Sequence, residues 1–265
     1  EIFPTATRAI GANFQNTLDL RFMPIERGPY NFQTSPDKLN PDGTFKNPSE
    51  NWAGFTQEVT INNNDFEAAN EEFIEFWMMD PFMDNPGHRG GKFYLNLGLI
   101  NEDALPDQSL SRENGLPTGE DDQGLIDSTD WGIIPQGNTT NDYFSAEAGA
   151  RERQDIGLDG LNDQEEARFF NTRFQYLDNL RGFLSPEAFA AIEADPSTDN
   201  FRHFRDPSFE DTGAGILERY QDFNGTENNS PEGLGTRNFS LQSTNNTDQE
   251  DLNGNGSLNF AEQYR

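Results

Sequence analysis

The residue spacing with the clearest chemical meaning lies at 251–262, near the end of the chain. Side chains with oxygen atoms stand at positions 1, 3, 5 and 12 of this stretch, and a glycine stands at position 6. An EF-hand-type loop binds calcium from these positions and from a carbonyl at position 7. The alternative is an Asn- and Gly-rich surface loop that matches by composition alone. The spacing predicts a structural calcium ion bound by Asp251, Asn253, Asn255, Ser257 and Glu262.

A second stretch, 155–166, matches the same loop less closely. Asp155, Asp159 and Glu166 stand at positions 1, 5 and 12, but Gly157 at position 3 offers no side-chain oxygen. Position 8 is not apolar, and residues 162–166 have the pattern of a helix start. The sequence therefore predicts a helix N-terminus here and not a metal site.

Residue types that commonly carry catalysis are sparse or uninformative. Neither His88 nor His203 has a recognisable nucleophile partner, and two histidines cannot form a three-histidine metal site. Because the chain has 47 acidic residues, no single pair of carboxylates stands out for glycoside hydrolysis. Three tryptophans could form a sugar-binding platform or could pack in the core: Trp52, Trp77 and Trp131. We expect the protein not to be an enzyme.

Two apolar runs within residues 70–103 are the strongest signal for a core. Apolar side chains alternate through 73–79 and 93–100, and the turn-rich segment 80–91 favours a loop between adjacent strands. Shorter alternating runs indicate further strands at 17–22 and 52–61. With 24 Gly, 15 Pro and only 32% apolar residues, the pattern predicts a mainly β protein. We expect a β-sandwich or jelly roll with long irregular loops and two or three short helices.

The strands are predicted to occupy residues 1–105, and a loop-rich insertion to occupy 106–265 and pack on the same domain. Within the insertion, Phe170, Phe174 and Leu177 lie near one face of a predicted helix at 162–184. Ser185 followed by Pro186 predicts the start of a second helix at 186–194. The calcium-like loop at 251–262 belongs to the same insertion.

The net charge of −29 is the strongest feature of the composition. Such a surface repels phosphate backbones, so nucleic-acid binding is excluded. The acidity is typical of a surface solvated under salty or extracellular conditions, and calcium binding is the next explanation. The chain has no cysteine and no run of about 18 apolar residues that could cross a bilayer as a helix.

Eight segments together resemble, in order, a region of the SprA/Sov family. These proteins are the outer-membrane translocons of the type IX secretion system. Because the segments span nearly the whole chain, their order and length are more specific than any single motif. The segments are 26–32 (ERGPYNF), 47–82, 90–105, 113–117 (ENGLP), 153–161 (RQDIGLDGL), 195–206 (DPSTDNFRHFRD), 220–233 and 248–264 (DQEDLNGNGSLNFAEQY).

The resemblance implies a fragment of a much larger protein, built on a wide transmembrane β-barrel that exports folded proteins and serves gliding motility. The open pattern at both ends of the chain agrees with a fragment. This fragment would be a non-catalytic soluble region in the extracellular cap of the outer-membrane translocon, at the cell surface. The implied partners are the rest of the barrel, a PorV-type outer-membrane barrel protein and the secreted cargo. The alternative is a secreted, calcium-stabilised β-sandwich domain that binds carbohydrate or acts as an adhesin.

Overall fold

The structure, a computed structural model, consists mostly of short helices and irregular loops. It describes residues 20–28, 31, 34–56, 87–88, 90–98, 103–113, 116, 125–136, 143–220, 225–229, 247–251 and 256–257. The strands are β1 (Ile126–Ser128) and β2 (Ile133–Pro135). The helices are α1 (Arg151–Gln154), α2 (Asp163–Phe174), α3 (Tyr176–Leu180), α4 (Pro186–Ala194), α5 (Pro207–Thr212) and α6 (Ile216–Arg219). Two single 3-10 turns, Pro36–Lys38 and Pro48–Glu50, precede them.

The prediction of a mainly β sandwich is wrong. The described residues contain one two-stranded antiparallel sheet, in which β1 pairs with β2. Residues 93–98, predicted as a strand, are not in a strand, and Phe93 and Leu97 are 61% and 58% exposed. Alternation is a local pattern, whereas a strand also needs a neighbour that supplies hydrogen bonds and covers one face. The alternative, a secreted β-sandwich domain that acts as an adhesin or binds carbohydrate, required the same sheets and is therefore not supported by the fold.

Only parts of the other predicted strands lie within the described residues. The described residues 20–22 and 52–56 are not in strands. The first apolar run, 73–79, and residues 17–19 and 57–61 lie outside the described residues. The division of the chain at residue 105 stays a prediction.

Helix α2 begins with the capping box that the sequence predicts. Asn162 Oδ1 accepts hydrogen bonds from the backbone N–H groups of Gln164 and Glu165, both at 3.1 Å, and Glu165 Oε2 accepts one from Asn162 N–H at 3.3 Å. These bonds satisfy three donors that have no partner within the helix. Gln175 then adopts a left-handed conformation, with φ of 54°, and ends α2. The predicted helix at 162–184 is therefore two shorter helices, α2 and α3.

Helix α4 has the bounds that its sequence predicts. Ser185 Oγ accepts a hydrogen bond from Ala188 N–H at 3.2 Å, and Pro186 occupies the first turn, where its missing N–H costs nothing. The helix ends before Pro196. No helix in the part of the chain that the structure describes is both long enough and apolar enough to cross a membrane.

The hydrophobic core lies between α2, α3 and α4 and the loop that contains Leu39 and Phe45. The rings of Phe170 and Tyr176 meet edge to face, with centroids 6.4 Å apart. The buried core side chains are Leu39, Phe45, Phe170, Tyr176, Leu177, Leu180, Leu184 and Ile192. This packing fixes the first turn of α2 and the end of α4, from which the candidate site is built.

Arg27 connects the N-terminal part of the chain to the loop that follows α4. Its guanidinium donates hydrogen bonds to the Tyr176 hydroxyl at 2.7 Å, to the Pro196 carbonyl at 3.1 Å and to the Asp195 carbonyl at 3.3 Å. The planar guanidinium presents several donors in fixed directions, which suits it to several acceptors at once. The position of residues 195–200 therefore depends on a residue far away in sequence.

Candidate functional site: a buried carboxylate cluster

Three carboxylates meet in the interior beside α2, and we call them the carboxylate cluster: Asp159, Glu166 and Asp199. One oxygen from each lies within 4.8 Å of the other two. Their exposed fractions are 3%, 0% and 4%. Asp159 comes from the loop before α2, Glu166 from the first turns of α2, and Asp199 from the loop after α4. The cluster therefore joins three segments that are separate in sequence.

Glu166 is oriented by a single neighbour, Ser197. Its Oε2 accepts a hydrogen bond from Ser197 N–H at 2.9 Å, and its Oε1 accepts one from Ser197 Oγ at 2.8 Å. Burial, followed by the nearby charges of Asp159 and Asp199, raises the pKa of Glu166 to about 12. The carboxylate is thus held rigidly, yet each of its oxygens keeps a free lone pair that can face a cation.

Asp159 and Asp199 each keep one oxygen without a hydrogen-bond partner among the described residues. Asp159 Oδ1 accepts from Leu161 N–H at 3.0 Å, while its Oδ2 is buried and unpaired. Asp199 Oδ2 accepts from Thr226 Oγ at 3.3 Å, while its Oδ1 is buried and unpaired. Burial raises the pKa of Asp159 well above its usual range and that of Asp199 to about 7. An unpaired oxygen in a low-dielectric interior is costly unless another group binds it.

Glycines let the backbone approach the cluster closely. Gly157 has a φ of +89°, and a Cβ placed there would lie 2.1 Å from Asp199 Oδ2. A Cβ at Gly225 would lie 2.1 Å from the backbone oxygen of Asp199. Both distances are far below van der Waals contact, so side chains at these positions would displace Asp199.

Further acids surround the cluster, and few cations accompany them. Oxygens of Asp163 and Asp195 also come within 4.8 Å of an oxygen of Glu166. Glu227 is 5% exposed with an unpaired Oε2, and burial raises its pKa to about 8. The Arg27 guanidinium donates to the Pro196 and Asp195 carbonyls, and that of Arg151 lies 3.9 Å from Asp155. Because the arrangement is buried and rich in carboxylate oxygens, it is suited to binding a hard cation.

Two other buried acids connect residues 104–113 to residues 247–250. Glu113 Oε2 accepts a hydrogen bond from Asp248 N–H at 2.7 Å, and burial raises the pKa of Glu113 to about 10. Glu250 is 1% exposed and accepts three backbone N–H bonds, from Ala104 at 2.6 Å, Leu105 at 3.1 Å and Ser111 at 2.7 Å. These bonds replace the missing hydration of Glu250 and fix the segment that leads into the predicted calcium loop.

A family model described as SprA_N, motility related/secretion protein, matches residues 175–265. The match covers about a third of the chain, and we call residues 175–265 the SprA-family segment. A search of the curated proteins found no match. The resemblance to the SprA family is thereby confirmed for residues 175–265, and the description of the family indicates a role related to motility or secretion.

The SprA-family segment contains helices α3 to α6 and the acids that approach the cluster from the C-terminal side. Among these are Asp195, Asp199 and Glu227. The remaining members, Asp159 and Glu166, precede the matched range. The cluster is therefore formed jointly by the SprA-family segment and by the residues just before it.

The predicted calcium loop lies within the SprA-family segment and is described only in part. Asp251 is buried, with 7% exposed, and its Oδ2 accepts a hydrogen bond from Gly256 N–H at 2.8 Å. This bond joins positions 1 and 6 of the predicted loop, and Ser257 follows at position 7. Asn253, Asn255 and Glu262 lie outside the described residues. Calcium binding at 251–262 therefore stays a prediction.

His203 and Trp131 pack against aromatic rings, whereas His88 is exposed and Trp52 lines a surface pocket. His203 Nδ1 accepts a hydrogen bond from Arg205 N–H at 3.1 Å, and its ring centroid lies 4.4 Å from that of Phe204. The centroid of Trp131 lies 5.6 Å from that of Phe174, which favours core packing over a sugar-binding platform for this residue. Trp77 lies outside the described residues.

Sequence reasoning set aside two of the three cluster residues and missed the third. Asp159 and Glu166 belong to the stretch that we rejected as a metal loop because position 3 lacks an oxygen. The structure supplies Asp199 instead, from a distant loop. A usable signal was present at 195–199, where Asp195, Ser197 and Asp199 place oxygens at every second residue.

Proposed function

We propose that this chain is a non-catalytic structural region of a type IX secretion translocon of the SprA/Sov type, located in the cap at the cell surface. The SprA-family match at residues 175–265 is the observation that carries this proposal. The geometry supports it, because the buried acids fix loops in place and do not line an open cleft. Glu113, Glu166 and Glu250 all accept hydrogen bonds from backbone N–H groups.

A surface pocket among the described residues lies apart from the buried acids, in agreement with a structural role. It is lined by Asn31, Lys38, Phe45, Asn47, Glu50, Asn51 and Trp52. None of the buried acids is among these residues, so the pocket does not bring a substrate to the carboxylate cluster. Hydrolysis of glycans or peptides by the chain, abolished by one carboxylate substitution, would contradict a non-catalytic role.

An exposed apolar segment is the feature that suits assembly into a larger machine. Phe93, Tyr94, Leu95 and Leu97 are each more than half exposed. Contiguous exposed apolar surface commonly marks a contact with another protein. We propose that this segment packs against another part of the translocon, and that the remaining partners are a PorV-type outer-membrane barrel protein and the secreted cargo. The net charge of −29 excludes nucleic acid as a partner.

Accessibility of α4 in intact cells tests the proposed location. These 265 residues contain no cysteine, so an engineered cysteine is the one thiol that they contribute, and the unmodified parent protein measures the background. Ala190→Cys lies at an exposed position of α4, whereas Ile192→Cys on the same helix is a matched control because Ile192 is 2% exposed. Both are introduced into the full-length parent protein, and whole cells are treated with a membrane-impermeant maleimide.

The expected result in intact cells is that Ala190→Cys is labelled well above the background of the unmodified parent protein, whereas labelling of Ile192→Cys stays near that background. Labelling of Ala190→Cys only after the outer membrane is permeabilised would contradict a location at the cell surface.

A further inference from the structure

We propose that the carboxylate cluster is a structural calcium site that fastens the loop before α2 to the loop after α4. The site is separate from the predicted loop at 251–262 and does not depend on the proposed role in secretion. Asp159, Glu166 and Asp199 supply its ligands.

The spacing of the oxygens fits a calcium ion. Calcium binds oxygen ligands at about 2.3–2.6 Å, so oxygens on one ion lie at most about 5 Å apart. The three carboxylate oxygens fall within 4.8 Å of one another. No protein hydrogen bond joins these carboxylates directly, which leaves the space between them for a common ligand.

The unpaired oxygens are an independent observation that points to a ligand. Asp159 Oδ2 and Asp199 Oδ1 belong to side chains that are at most 4% exposed, and neither oxygen has a hydrogen-bond partner among the described residues. Buried acceptors are nearly always paired, and a cation would pair both at once. Glu227 adds a third unpaired oxygen, Oε2, beside Asp199, whose backbone carbonyl accepts from Glu227 N–H at 2.8 Å.

The donor set selects calcium over other divalent ions. The cluster offers carboxylate oxygens only, with neither the imidazole nor the thiolate ligands that zinc prefers. Magnesium retains several waters and is rarely enclosed by protein groups, whereas calcium accepts six to eight oxygens in flexible geometry. Asp163, Asp195 and Glu227 provide additional oxygens close to the ion.

The test counts calcium ions bound to the full 265-residue chain after treatment with EDTA and addition of calcium chloride. Native mass spectrometry gives the number of ions, and isothermal titration calorimetry gives the affinity. Asp159→Asn and Asp199→Asn each keep the side-chain shape but remove an anionic ligand. Glu187→Gln, an exposed acid on α4, is the matched control.

We expect each cluster variant to bind one calcium ion fewer than the parent chain, or to bind it at least about 10-fold more weakly, while Glu187→Gln binds as the parent does. A parent chain that binds no calcium would overturn the proposal. Equal ion counts and affinities in the parent and in both cluster variants would also overturn it. Because Glu262→Ala affects only the predicted loop at 251–262, an ion that persists in Glu262→Ala and disappears from Glu262→Ala/Asp159→Asn belongs to the cluster.

Discussion

Gly157 is the residue on which the shape of the carboxylate cluster depends most directly. Its φ of +89° is strained for any residue with a Cβ, and its Cα approaches Asp199 so closely that a Cβ would meet Asp199 Oδ2 at 2.1 Å. Gly182 has a similar φ of +82°, but no atom lies within 4 Å of its missing Cβ. Alanine substitutions at the two glycines therefore separate two contributions to the free energy of unfolding: the strain of a positive φ, which both share, and the close contact with Asp199, which only Gly157 has.

We expect Gly182→Ala to lower the free energy of unfolding by about 1 kcal/mol, because only backbone strain is added. Gly157→Ala should lower it by a further 1–3 kcal/mol or so, since Asp199 must move, and should weaken calcium binding. Urea denaturation of both variants with and without calcium measures the difference. Equal losses in the two variants would show that the close approach to Asp199 has no energetic consequence.

Glu262 is the residue that decides whether the loop at 251–262 binds calcium. Position 12 of such a loop supplies both carboxylate oxygens to the ion, whereas position 7 supplies a backbone carbonyl. Glu262→Ala should therefore reduce the rise in melting temperature that calcium produces. Ser257→Ala should leave this rise unchanged because its backbone carbonyl remains. Thermal unfolding with EDTA and with calcium chloride gives the comparison, and an unchanged rise in Glu262→Ala would rule out this site.

At the scale of elements, the sequence predicts the helices whose ends carry local signals. Ser185 and Pro186 define the start of α4, and Asn162 with Glu165 defines the start of α2, because capping is a short-range interaction. The break at Gln175 was missed, since glutamine is not a usual left-handed residue and tertiary packing imposes its φ of 54°. The strand predicted at 93–100 is wrong for its described residues, 93–98, because alternation says nothing about a pairing partner.

The carboxylate cluster was only partly predictable for a related reason. Asp159 and Glu166 lie in one short stretch, and their spacing is visible in the sequence. Asp199 reaches them only because α3 and α4 fold back on α2 and because the loop after α4 is fixed in place. Contacts of this kind depend on the packing of whole elements, which residue spacing does not encode.

Arg27 is the contact through which the N-terminal region positions the loop after α4. Removing its guanidinium leaves the Pro196 and Asp195 carbonyls without these donors, so Arg27→Ala should lower the free energy of unfolding by about 1–3 kcal/mol. Tyr176→Phe removes two hydrogen bonds, the one that the hydroxyl accepts from Arg27 at 2.7 Å and the one that it donates to the Pro196 carbonyl at 3.3 Å, and should cost about 1–3 kcal/mol. Arg153→Ala, at an exposed position of α1, should cost less than about 0.5 kcal/mol.

Urea denaturation of Arg27→Ala, Tyr176→Phe and the double variant forms a cycle that isolates the coupling between the two side chains. We expect the double variant to be more stable than the sum of the single losses implies, because both changes remove the same 2.7 Å hydrogen bond. Strict additivity would mean that this bond contributes nothing to stability.

At the scale of the whole molecule, a net charge of −29 opposes folding by self-repulsion and makes stability depend on salt. We expect sodium chloride to raise the melting temperature as the screening length falls from about 30 Å at 0.01 M to about 3 Å at 1 M. Calcium bound at the cluster acts differently, because it neutralises buried acids that salt screens poorly. At about 1 mM, calcium chloride should therefore raise the melting temperature well above the value in sodium chloride of equal ionic strength.

Asp159→Asn separates the two effects within one protein. The variant changes one buried acid among 47 acidic residues, so its response to sodium chloride should match that of the parent chain. Its response to calcium should be smaller, because the buried site has lost a ligand while the rest of the acidic surface is unchanged. Melting temperatures of the parent chain and of Asp159→Asn, measured in both salts at matched ionic strength, distinguish calcium binding at the cluster from general screening. If calcium and sodium chloride stabilise the parent chain equally, screening of the acidic surface accounts for the whole effect and the buried acids bind no ion.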